Sequence, residues 1–210
     1  MTAKIVVFEG ADASGKCTQS RLLERALHND GVSAIRVEPT RESHPRGRKL
    51  IYAMLENGDA KRWPTAFQFI QFVNRVYFQV FKLPKLLRDN DVVILDRWAL
   101  SGYVYGKAEG INPRLNAWMY NRAKRADVVV VLCGASHPRK RADDSYERDN
   151  NLQAMVKVLY REAGLHLPGH ALVDNHDSVE EVHQSIMALL VNKRILPSTR
   201  CPVCDGELLR

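Results

Sequence analysis

No apolar run in the chain approaches the roughly 18 residues that a membrane span needs, so no membrane partner is expected. The opening stretch MTAKIVVFEG has one lysine before a short apolar run that Glu9 interrupts. That is too short for a secretory leader and reads as a first strand, so the expected location is the cytoplasm. Cysteine is scarce: four in 210 residues do not build a disulfide framework. Cys17 and Cys133 stand singly, and Cys201 and Cys204 form a lone CxxC near the C-terminus. Such a pair is half a zinc site, and completing it would take His176, His183 or a second subunit; otherwise it belongs to a reduced tail. Internal repeats and internal linkers are absent. Acidic residues are the minority, 24 against 31 lysines and arginines, and the net charge of +7 points to a polyanionic partner. Nucleotide phosphates and nucleic acid both answer to that, and a basic surface that is merely soluble is the plainer reading.

What is present is an alternation. Short β-branched runs (KIVVFEG, SAIRVEP, DVVILDR, DVVVVLCG, HALVD) are separated by longer helical patterns. The helices are expected over about Lys16 to Asn29, GRKLIYAMLENG, Thr65 to Arg88, NAWMYNRAKR, Glu147 to Glu162, and Ser178 to Lys193. Apolar strands without alternation, spaced by helices, predict an α/β fold with a five-stranded parallel sheet covered on both faces. One domain over residues 1–193 is expected, followed by a detached tail over 194–210.

The first strand runs into Gly10-x-x-x-x-Gly15-Lys16, a loop that leaves a strand and opens a helix. Glycines there let successive main-chain N–H groups point at phosphate oxygens, and the helix N-terminus adds its positive end. Gly10, Ala13, Ser14, Gly15, Lys16, Cys17 and Thr18 are the expected phosphate-binding residues, in a kinase, an ATPase or a GTPase alike, with Lys16 reaching the outer phosphates. Where the pattern has a serine or threonine hydroxyl for magnesium, this chain has Cys17, and a neutral thiol is a poor ligand for a hard cation. The expectation is a working loop with a softened metal shell, in which Asp96 after VVIL serves Mg2+ from another strand end. The guanine-reading N-K-x-D string of GTPases is absent.

FEGADASGKCTQ, FVNR at 72–75, LDRWALSGYVYG at 95–106 and DSYE at 144–147 together resemble, in that order, the thymidylate kinase family of P-loop nucleoside monophosphate kinases. The resemblance covers nearly the whole chain and implies a P-loop kinase fold with a mobile lid, here about residues 134–148. It also implies transfer of the γ-phosphate of ATP to a pyrimidine deoxynucleoside monophosphate, most simply dTMP, with Mg2+, and a homodimer. By the same resemblance Asp96 and Arg97 are catalytic, with Arg97 clamping the acceptor phosphate, which a guanidinium does bidentately. Ser101, Gly102 and Tyr105 follow at the family's spacing. Asp12 resembles the carboxylate at the acceptor's 3′-hydroxyl, Tyr146 the aromatic residue that favours deoxyribose, and Arg41 the arginine sent to the monophosphate. Arg46 and Arg48 compete for that last role.

Gln68, Gln71, Arg75 and Gln79 recur at helical spacing in an otherwise greasy segment, which suggests a buried helix lining a pocket. Arg75 resembles the family's base-reading arginine. One turn earlier the family stacks a phenylalanine on the base; this chain has Gln71, with Phe72 and Phe69 beside it. The acceptor is therefore thymine, uracil or a 5-modified pyrimidine such as hydroxymethyluracil. A kinase acting on a modified base within DNA, and a non-catalytic nucleotide-binding module, are the competing readings.

Phosphoryl transfer spreads negative charge over equatorial oxygens, which positioned cations stabilise. Some members of the family carry an arginine in the phosphate loop; here that position is Ala13. SHPRKRADD over residues 136–144 resembles the lid, making Arg139 and Arg141 the catalytic candidates, with Lys140 pointing elsewhere or assisting. At least one of Arg139→Ala and Arg141→Ala is expected to slow steady-state turnover by about tenfold or more; two unaffected variants would remove the lid from the mechanism.

Overall fold

The computed structural model describes residues 3–134 and 149–196. Arg139, Arg141, Tyr146, Cys201 and Cys204 lie outside the described residues, with most of the expected lid.

Five strands form one parallel sheet in the order β2-β3-β1-β4-β5. They are β1 (Lys4–Gly10), β2 (Ala34–Val37), β3 (Val92–Asp96), β4 (Val128–Cys133) and β5 (His170–Asp174). The helices are α1 (Lys16–Asn29), α2 (Pro39–Glu42), α3 (Pro45–Glu56), α4 (Asp59–Arg62), α5 (Pro64–Phe81), α6 (Leu83–Asp89), α7 (Ala99–Ala108), α8 (Pro113–Tyr120), α9 (Asn150–His166) and α10 (Val179–Asn192). This is the five-stranded parallel sheet flanked by helices that the alternation predicts.

The apolar strands conceal a period of two that decides which helix each residue meets. Val6 and Phe8 of β1 pack with Leu23 and Leu27 of α1 and with Ile186 and Leu190 of α10. Ile5 and Val7 face the other way, into a cluster with Phe78 of α5 and Leu83 of α6. On that same side Val131 meets Tyr160 of α9 and Val104 of α7.

Several expected boundaries shift: the helix expected over NAWMYNRAKR ends at Tyr120, α9 runs on to His166, and α7 forms where no helix was expected. The segment from Thr65 to Arg88 divides at Lys82, because Pro84 lacks an N–H and its ring crowds the carbonyl of the preceding turn. The packed body also extends past the expected end at 193. The N–H of Leu196 donates to Leu190 O at 3.3 Å, and its side chain is buried in the α1–α10 cluster. A leucine has more to gain there than in water.

Because β1 is central, with β3 on one side and β4 on the other, the strand order reverses around it and a crevice opens beyond the strand ends. The ends of β1, β2, β3 and β4 bring Gly10, Pro39, Asp96 and Cys133 to this mouth. Gly10 has φ 144°, and a Cβ there would lie 2.4 Å from Leu132 O and 2.6 Å from Ser14 Oγ. Gly10→Ala is expected to lower unfolding free energy by at least about 2 kcal/mol, through the forbidden φ and the backbone clash together. A urea titration measures it, and an unchanged midpoint would contradict the tight turn.

Candidate active site

The loop from Gly10 to Gly15 closes over the N-terminus of α1. Ser14 O accepts from Asn175 Nδ2 at 3.0 Å, and the N–H of Asn175 donates to Cys133 O at 2.6 Å, so the loop is latched to the ends of β4 and β5. Ala13 has φ 58°, a left-handed conformation that a non-glycine residue adopts only when its surroundings enforce it. Lys16 is 6% exposed, and its ammonium donates to Ala11 O at 2.5 Å and to Ser14 Oγ at 3.3 Å. Burial and then the nearby Arg97 charge pull its pKa down to about 7, against the opposing pull of Asp12, Asp96 and Glu9. A lysine so placed is short of negative charge. Thr18 is exposed on α1 and Cys17 is half-buried.

Arg97 follows β3 at φ 69°, its N–H held by Phe8 O at 2.9 Å. That strained backbone turns the guanidinium toward the loop, where Nη2 pairs with Asp12 and Nη1 donates to Gly10 O at 3.2 Å and Ser101 Oγ at 3.3 Å. Burial alone would depress the Arg97 pKa, but Asp12, Tyr160, Tyr105 and Glu9 outweigh it and hold it well above the ordinary value. Asp12 is held below its ordinary value despite burial, by Arg97, Lys16, Tyr105 and Gln153. Asp12 Oδ2 accepts from the Tyr105 hydroxyl at 2.7 Å and from Gln153 Nε2 at 3.1 Å, and burial and the Asp12 charge push the Tyr105 phenol pKa up, so it stays a donor.

Beside this pair lies an open cleft. Gln68, Gln71 and Arg75 of α5 line it, with Asp12, Arg97, Ser101, Gly102 and Tyr105. Of the expected polar stripe only Gln79 is elsewhere, bonded to Arg122 O and the Lys124 N–H. Gly102 is what admits Arg75: a Cβ there would meet its Nη1 at 2.9 Å. Burial lowers the Arg75 pKa, with Glu9 and Tyr160 opposing, so this half-buried cation also lacks negative company.

Phe72 is absent from the cleft wall. Adjacent helical positions point about 100° apart, and Phe72 packs instead on Trp118, ring centroids 5.2 Å apart. The apolar wall comes from Phe67, Leu55 and Trp98, which the stripe pattern did not single out. Phe67 sits one turn before Gln71, so helical spacing alone would have found it. Arg41 is also off the wall: its Nε pairs at 2.8 Å with Glu38, three residues back, and the side chain is 52% exposed. Arg46 and Arg48 are exposed as well, while Pro39 and Thr40 line the cleft. A second cleft on the far side of the loop is lined by Lys157 and Arg161 of α9, cations one helical turn apart that carry no sequence motif.

Asp96 does not stand ready for a metal. Its carboxylate pairs with Arg36 of β2, whose guanidinium also reaches Cys17 Sγ at 3.6 Å. Magnesium wants hard oxygen ligands; a thiol and a carboxylate already neutralised by arginine do not form such a shell. Among the described residues no group of three or more His, Cys, Asp or Glu converges to hold a metal ion.

Residues 8–186 match the family model described as thymidylate kinase. A probable thymidylate kinase of Thermococcus gammatolerans is 28% identical over 196 residues, covering 88% of this chain and 94% of that protein. The thymidylate kinase of Schizosaccharomyces pombe is 27% identical over 91% of this chain and 93% of its own. The solved thymidylate kinase of Candida albicans superposes with a TM-score of 0.75 at 22% identity, covering 92% of this chain and 93% of that one, a likeness of fold.

The depressed pKa of Lys16 has a measurable consequence. Bound phosphate restores the ammonium, so between pH 7 and its ordinary value the free protein lacks a proton that the complex holds. ATP binding at pH about 8.5 is expected to take up most of one proton, and little at pH about 6, where Lys16 is charged in both states. Calorimetry in buffers of different ionisation heat measures this; equal uptake at both pH values would contradict a starved Lys16.

Proposed function

Because the chain belongs to the thymidylate kinase family, we propose that it transfers the γ-phosphoryl group of ATP to the phosphate of a pyrimidine deoxynucleoside monophosphate, with dTMP as acceptor. The observation that carries this is the single cleft running from Arg97, beside the phosphate loop, to Gln71 and Arg75 on α5. Its two ends suit the two halves of one nucleotide. Arg97 takes the acceptor phosphate, while Phe67, Leu55 and Trp98 enclose a flat base. Arg75 donates to a base carbonyl, and the amides of Gln68 and Gln71 both donate and accept, which matches the carbonyl and N3–H edge of thymine or uracil.

The acceptor phosphate oxygen attacks the γ-phosphorus as the bond to the ADP oxygen breaks. That oxygen is already anionic at neutral pH, so no general base is required, and positioning and charge neutralisation supply the rate. Main-chain N–H groups of the loop and Lys16 hold the donor, Arg97 the recipient. Asp12 keeps Arg97 oriented and offers an acceptor for the sugar 3′-hydroxyl. Magnesium carried by ATP would supply further neutralisation of the phosphates, without Asp96 or Cys17 as a ligand. Arg139 and Arg141 are assigned to the developing charge, and Tyr146 to the sugar's 2′ position.

A second reading rests on Gln71. An amide on the wall stacks less strongly than a ring but hydrogen-bonds a polar 5-substituent, which favours a 5-modified dUMP. Offering ATP with dTMP, dUMP, 5-hydroxymethyl-dUMP, dCMP and UMP, and measuring diphosphate product, separates the two. The highest kcat/KM is expected with dTMP and the lowest with UMP and dCMP. A higher value for hydroxymethyl-dUMP would establish the second reading, and no product from any acceptor would refute both.

A further inference from the structure

Cys17 and Arg36 depart together from what a phosphate loop ordinarily offers. In P-loop enzymes a loop hydroxyl and a strand-end carboxylate converge on magnesium. Here the corresponding positions are Cys17 and Asp96, and between them lies a guanidinium. Arg36 emerges near the C-terminal end of β2, at the mouth of the sheet. Its Nε donates to Ser20 Oγ at 2.7 Å, and Nη2 engages both Asp96 and Cys17 Sγ. Its main-chain N–H donates to Glu24 Oε1 at 2.7 Å. Cys17, Ser20 and Glu24 are spaced by three and four residues, so one stripe of α1 faces this arginine.

The placement differs from an ordinary surface ion pair. The Arg36 side chain is 16% exposed and that of Asp96 10%, so the pair is weakly screened and held in one geometry. Nη1 has no hydrogen bond to any described residue, which leaves its two N–H groups for an oxyanion. A divalent ion seated against residue 17 would meet this fixed positive charge at close range, and the thiol would not offset the repulsion. A guanidinium matches phosphate oxygens in plane and number, and it keeps its charge at any working pH.

We propose that Arg36 is a built-in cation for the donor triphosphate, fixed by Cys17, Ser20 and Asp96 where other loops leave room for magnesium. ATP binding by this chain then depends little on metal. The proposal rests on the reading that the loop binds ATP, and it gives Cys17 a purpose: a small, soft neighbour that tolerates the arginine.

The test is calorimetric titration of ATP into the full chain, without acceptor, in excess magnesium and in EDTA. The two affinities are expected to differ by less than about threefold, and Arg36→Met to weaken binding in EDTA by about tenfold or more while magnesium restores most of it. In the double variant Arg36→Met with Cys17→Ser, magnesium is expected to recover affinity fully. A merely structural ion pair would weaken both arms alike. Loss of about tenfold or more by the unmodified protein in EDTA overturns the proposal without reference to any variant. No ATP binding in either arm would instead refute the functional reading on which it stands.

Discussion

A buried carboxylate organises this molecule. Glu9 is fully inaccessible to solvent at the end of the central strand, and a charge in that position persists only if every oxygen is satisfied. The N–H of Trp98 donates to Oε1 at 2.7 Å and that of Ser101 at 3.2 Å, so Glu9 caps the start of α7 and complements its positive end. Oε2 accepts from Ser101 Oγ at 2.6 Å and Tyr160 OH at 3.3 Å. Those two hydroxyls also accept from Arg97 Nη1. The carboxylate therefore joins the phosphate loop, the β3 end, α7 and α9 into one rigid frame, and Arg97 is positioned by what Glu9 holds.

Around that frame the charges are arranged for guests that are anions. Lys16 is buried against the Ala11 carbonyl and the Ser14 hydroxyl with a lowered pKa, Arg75 lies against Gly102, and Arg97 spans Gly10 and Asp12. Asp12 is the counterweight: without it, three half-buried or buried cations would face one another across the crevice. Its oxygens are shared among Arg97, Tyr105 and Gln153, which fixes the carboxylate from three elements at once. Such preorganisation is what electrostatic catalysis requires, because the dipoles and charges need no rearrangement as the reaction proceeds.

The phosphate loop, the Asp96-Arg97 pair and the sheet were legible because each depends on neighbours in sequence. A tight turn shows as glycine, a strand as β-branched residues, and a helix face as a spacing of three or four. The same rule set Gln71 and Arg75 on one face, where both line the cleft, and failed at Phe72, where a neighbour in sequence was taken for a neighbour in space. Glu9 was visible only as an interruption of an apolar run. Gln153, Asn175 and Lys157 gave no signal, since each meets the site from an element more than a hundred residues along the chain from the loop. Arg36 stood in plain sight in the second strand, but its meaning required knowing that β2 lies beside β3.

Residue order by itself therefore determined the chemistry of the loop and the alternation that builds a parallel sheet, because both are written in local conformational preference and short-range polarity. Tertiary structure alone decided which partner each charge received. Asp96 met Arg36 because β2 pairs with β3 in a register that sets Arg36 against Ile94, two residues from that carboxylate. An ion pair is a matter of a few ångströms between strands, and separation along a chain carries no record of that distance.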